Sequence, residues 1–164
     1  MKYFTLLLIN LFFLLLIACN TQEPKQDKTI AENKESKEKE DDYELAVHMG
    51  LLQRYLEKAY FAAEGGNDAL HDFYIHEMEE EMESIQKAGV MDDGINVSYN
   101  MLHYGIKSLE TYESRIEAEG LANFQGHFDN LINGCNSCHM VSKKPFIQIQ
   151  KPSVNAFPSQ KFTP

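Results

Sequence analysis

From Tyr43 onward, apolar side chains return every three or four positions with charged ones between them, the pattern of helices that bury one face. Four such segments follow one another. The first, about 43–64, aligns Leu45, Met49, Leu52, Leu56, Ala59 and Ala63, and Gly65-Gly66-Asn67 stops it and caps the next. The second, about 68–88, aligns Leu70, Phe73, Tyr74, Met78, Met82 and Ile85, and Gly89 to Gly94 breaks the chain again. The third, about 95–118, aligns Leu102, Ile106, Leu109, Tyr112 and Ile116 before Gly120. The fourth, about 121–142, aligns Leu121, Phe124, Phe128, Leu131, Ile132, Cys135 and Cys138, and Pro145 ends it. No stretch alternates as a strand would. Similar lengths and short links predict an all-α fold, an up-down-up-down four-helix bundle over 43–142. The extended C-terminal tail, 143–164, keeps apolar residues (Phe146, Ile147, Ile149, Phe157), which places it along the bundle.

The first 42 residues follow other rules. Lys2 precedes an apolar run from Phe4 to Ala18, interrupted only by Thr5 and Asn10. That is shorter than the roughly 20 residues of a membrane-spanning helix, and it has the layout of a secretory signal, expected over 1–18. Leu16-Ile17-Ala18-Cys19 resembles the lipobox of bacterial lipoproteins. The resemblance implies cleavage before Cys19 and acylation there, a firm hold on a membrane at about 0.8 kcal/mol per buried CH₂. Between Cys19 and residue 42 the chain is a charged tether: residues 21–42 hold 13 charged side chains and only Ile30 and Ala31 as apolar ones. The expected location is a bacterial membrane surface, with the domain exported outside the cytoplasm into the periplasm.

Charge narrows the partners. The chain carries a net −10, and residues 43–138 alone hold 17 acids against five bases. Nucleic acid is therefore not expected as a partner, because phosphate binding needs Lys and Arg. The four lysines after His139 (Lys143, Lys144, Lys151, Lys161) have no acid among them. They offer a basic surface to an acidic partner protein, where such asymmetry sets association rate more than affinity. The acidic run Glu77 to Glu83 reads as a solvated helix face, since no Glu-x-x-His accompanies it as a di-iron site requires.

The chemistry sits in Cys135-Asn136-Ser137-Cys138-His139, a C-x-x-C-H attachment sequence for one covalent haem c. Two thiols at this spacing can each add to a porphyrin vinyl group, and the adjacent His139 then serves as proximal iron ligand. With Cys19 acylated, these are the remaining two of three cysteines. Zinc would need a second ligand pair, and a thioredoxin-like pair would need a βαβ setting.

A four-helix bundle with C-N-S-C-H on its last helix resembles the class II c-type cytochromes, the cytochrome c-prime family. The likeness covers about 43–142 and includes Lys58-Ala59-Tyr60-Phe61-Ala62-Ala63 and the stretch from Asn67 to Glu77. The tail beyond the motif and the lipid anchor depart from it. The resemblance implies a sixth iron position that is either open or filled by a Met of the first helix. Helix geometry asks the same question independently. Met49 lies about six residues into the first helix and His139 about three from the end of the fourth. At about 1.5 Å per residue they fall within about 5 Å in height. Met49 is the candidate sixth ligand, with His48 the alternative and Met101 a weaker rival. Leu52, Met82 and Leu102 are expected to line the haem pocket, while His71, His76, His103 and His127 read as surface or capping groups. The function expected is electron transfer, not enzymatic catalysis, to a redox partner protein or a membrane electron-transfer complex, with a homodimer left open. The alternative is a five-coordinate haem protein that binds NO or CO.

Overall fold

A computed structural model describes residues 43–164. The expected signal segment 1–18, the lipidated Cys19 and the tether to residue 42 lie outside the described residues. The described residues are all-α apart from one small hairpin. Helix α1 is Leu45–Glu64 and α2 is Asp68–Lys87. Helix α3 runs as three consecutive stretches, Val97–Asn100, Met101–Ile106 and Lys107–Glu119, and α4 is Phe124–Val141 after a single 3₁₀ turn, Leu121–Asn123.

Local chemistry sets the boundaries. The Asn67 side chain accepts from the Leu70 amide at 3.2 Å and caps α2, and Asn96 does the same for α3 with the Tyr99 amide at 2.8 Å. Gly89 to Gly94 does more than break the chain. Met91–Asp92 (β1) pairs antiparallel with Ile95–Asn96 (β2), a hairpin that the pattern of apolar residues did not predict. Its two-residue turn is Asp93-Gly94, both at positive φ (49° and 75°), the requirement of a type I′ turn.

The middle of α3 departs from the expected helical register. Met101–Ile106 is π-helical, so one extra residue is accommodated per turn. Continuing the spacing of Ile106, Leu109 and Tyr112 backward would point Leu102 inward. The π-stretch turns Met101 and Gly105 inward instead, and Leu102 is 38% exposed.

The core runs from Leu52 and Leu56 through Met78, Met82, Ile85 and Leu109 to an aromatic group around Tyr60, Phe124 and Phe128. α1 packs along α2, and α3 packs on both α2 and α4. The α3–α4 crossing is close at Gly134, where any side chain would strike Ser108. His71, expected near the surface, is buried with its Nε2 2.8 Å from the Tyr112 hydroxyl and its Nδ1 3.1 Å from Asp72. Burial lowers its pKa, against the opposing pull of Asp72. The pairing resolves the cost of burying an imidazole.

The tail has no regular secondary structure after Val141, yet it lies on the helices. Phe162 is buried against Phe61, their ring centroids 5.8 Å apart. Arg54 and Lys58 sit over the Phe157 ring at 5.7 and 5.1 Å. Among the described residues, no helix is long and apolar enough to cross a membrane.

Candidate cofactor site

A cavity of about 680 Å³ opens among α1, α2, α3, the hairpin, the end of α4 and the start of the tail. Pockets for small ligands and cofactors span about 300–1,000 Å³. α1 contributes Leu45, Met49, Leu52 and Leu56, α2 contributes Met78 and Met82, and α3 contributes Val97, Met101 and Gly105. α4 contributes Cys135, Cys138 and His139, and the tail adds Phe146, Ile147 and Ile149. The helical spacing explains the α4 set: Cys135, Cys138 and His139 stand three and four residues apart, so one helix face presents them together.

The two thiols are free. Burial in this apolar lining pushes the Cys135 thiol up to about 12, with the neighbouring Cys138 adding to the effect. Burial also raises Cys138, partly offset by its hydrogen bond with Ser142. Ser142 is itself buried and accepts from Asn100 Nδ2 at 3.1 Å, which ties the end of α4 to α3.

His139 is partly buried, and burial lowers its pKa, which favours the neutral imidazole. Its Nδ1 lies 3.1 Å from the Ile147 carbonyl oxygen. A carbonyl can only accept, so Nδ1 carries the proton and Nε2 keeps a free lone pair. A ring held in this tautomer is prepared to ligate a metal through Nε2.

The other expected site residues separate cleanly. Met49, Leu52 and Met82 line the cavity. His48 does not: its Nδ1 pairs with Glu81, and its ring stacks on Tyr43 with centroids 4.3 Å apart. Leu102 is absent from the lining because the π-stretch gives its place to Met101. Met78, on the apolar stripe of α2, and the tail residues Phe146, Ile147 and Ile149 also join the site, while Tyr43 and Gly105 do so without any signal in the sequence pattern. A tyrosine one residue before a helix and a glycine inside a π-turn carry no spacing of their own. Gly105 matters because a Cβ there would come within 2.5 Å of the Met101 sulfur. The Tyr43 hydroxyl is buried and has no hydrogen-bond partner among the described residues.

Among the described residues, no group of three or more His, Cys, Asp or Glu side chains is placed to hold a bare metal ion. In the acidic run on α2, Glu83 pairs with Lys87 at 2.5 Å, Glu79 and Glu80 lie near His76, and part-buried Glu81 pairs with His48. The site therefore consists of two thiols, one imidazole and several thioethers around an apolar space. Comparison of the chain with family models, with curated proteins and with solved structures finds no match.

Proposed function

We propose that this chain is a monohaem c-type cytochrome, a four-helix bundle of up-down-up-down order that carries electrons outside the cytoplasm and is tethered to a membrane through lipid on Cys19. One observation carries the reading: Cys135, Cys138 and His139 converge on a single apolar cavity whose other walls present Met49, Met82 and Met101.

The residues fit a haem on three counts. The cavity has the volume and the apolar lining that a flat hydrophobic macrocycle needs. Cys135 and Cys138 are free for two thioether links, and His139 has the free Nε2 a proximal ligand requires. Met49 stands on α1 as the candidate second axial ligand. Haem bound there supplies an iron that changes oxidation state by one electron, at a potential set by axial ligands and burial. The protein's own part is to keep water from the site with Leu52, Leu56 and Met82 and to hold His139 in one tautomer. A thiol–disulfide oxidoreductase is disfavoured, because such a pair sits in a βαβ setting and Cys135 and Cys138 stand near the end of α4 among helices.

A second reading, binding of NO or CO, has one observation in its favour. His48 is drawn to Glu81, so if Met49 does not ligate, this imidazole does not take its place. The two readings divide on one measurement. Protein produced with a cytochrome c maturation system is expected to gain the mass of one haem and to keep its colour in acidified organic solvent. A low-spin spectrum with slow CO uptake is expected for the carrier. A colourless protein would refute both readings, and a high-spin protein that takes CO at once would favour the gas binder.

A further inference from the structure

We infer that the tail beyond Pro145 is a proximal strap that holds His139 in its ligating orientation, and that Asn136, inside the attachment motif, is the positioning residue that fastens it. The inference rests on the haem-binding reading above.

The chain leaves α4 through a turn in which Lys143 takes a positive φ of 60° and the Lys144 amide donates to the His139 carbonyl at 2.8 Å. It then doubles back along α4. Asn136 meets it with both ends of its side-chain amide: Nδ2 donates to the Ile149 carbonyl at 2.9 Å, and the Ile149 amide donates to Oδ1 at 2.8 Å. Ile147, two residues earlier, offers its carbonyl to His139 Nδ1 at 3.1 Å. Asn136 and His139 are three residues apart on one helix face, so a single stretch of tail reaches both.

The strap is anchored again further on. Lys151 Nζ lies 2.8 Å from Asp129, roughly two turns down α4 from Asn136. At the far end a Cβ on Gly65 would come within 2.5 Å of the Phe162 carbonyl, so only glycine admits the chain there. An irregular segment cannot satisfy its own backbone groups, and this one borrows partners from the helix it covers. The Ile147 carbonyl therefore stands where the Asn136–Ile149 link and the Lys151–Asp129 pair hold it. A carbonyl acceptor on Nδ1 makes the imidazole a stronger donor to a metal, which favours the oxidised state and lowers the reduction potential.

The test compares haem-loaded wild-type protein with Asn136→Ala, with Lys151→Asp, and with Lys151→Asp combined with Asp129→Lys. Asn136→Ala is expected to speed amide exchange at Ile149 and to raise the potential. Redox equilibrium with a mediator of fixed potential should move toward the reduced protein by about tenfold, about 59 mV for one electron. Lys151→Asp should move it the same way by less, and the charge swap should restore the wild-type value. If Asn136→Ala fails to mature, the charge-swap pair carries the test. A haem-loaded variant with a loosened tail and an unchanged potential would overturn the strap alone. Wild-type protein that acquires no covalent haem would overturn the functional reading, and the strap with it.

Discussion

At one end of the helical body, α1 meets α4 directly: Tyr60 sits edge-on to Phe124 and Phe128 with centroids 5.6 and 5.1 Å apart, and Tyr112 closes on Phe128 at 5.9 Å. At the other end the same two helices line a cavity with Met49, Met78, Met82 and Met101 around it. The aromatic end is filled with large rings of fixed shape, and its one buried imidazole, His71, has a partner in Tyr112. The methionine end uses unbranched, polarisable side chains that adapt to what they touch, together with a π-turn and Gly105, which keep backbone and side-chain bulk low. Large rings hold the helices together at one end, while at the other the same helices stand apart around an open cavity, the end to which the proposal above assigns the haem.

The largest expected effect falls on the methionine end. Cys135→Ser combined with Cys138→Ser should abolish covalent haem, checked by intact mass and by colour after acid–solvent extraction. A coloured double variant would break the assignment of that end to chemistry.

Next in size is the aromatic end. Phe128 is fully buried between Tyr60 and Tyr112, and Phe128→Ala should cost about 3–5 kcal/mol in denaturant unfolding. Its visible spectrum should stay that of the wild type. A spectral change would show that the two ends are coupled.

Met49→Ala should give the opposite signature. Met49 is only partly buried beside the cavity, so the stability loss should be about 1 kcal/mol or less. The iron should change from low to high spin, bind CO readily, and fall in potential, since Met/His ligation raises it. A wild-type protein that is already high-spin would reduce Met49 to packing.

The smallest effect concerns pH. Glu113, next to Tyr112 on α3, has its carboxyl pushed up to about 7, first by burial and then by Glu79, Glu117 and Glu110, with His76 pulling the other way. Its folded pKa lies above the ordinary 4.5, so the folded state binds the extra proton, and stability should fall as pH rises from about 4.5 through about 7. Glu113→Gln should flatten that slope in thermal unfolding measured across this range, with no effect on the spectrum. An unchanged slope would remove Glu113 as its source.

Much of this molecule is legible in the order of its residues. Periodicity locates the helices, because burying one face of a helix imposes a spacing that neighbours cannot hide. Asn67 and Gly120 mark boundaries through backbone needs that are local. The Cys135–His139 motif is legible for the same reason, since thiol and imidazole spacing along one helix turn is a local property. What depends on contacts between distant residues is not. Residue order makes Met49 the candidate sixth ligand of the proposed haem and leaves His48 open as the alternative, until Glu81, 33 residues from His48, claims the imidazole. Leu102 fits the helical stripe until a π-turn rotates it out, and His71 looks polar and exposed until Tyr112 gives it a partner. Helical class, charge and the Cys-x-x-Cys-His spacing thus follow from residue order, each being set by near neighbours in the chain. Which wall of the cavity each side chain faces, and the return of the tail to His139, follow from packing, because side-chain partners are chosen by the whole folded chain.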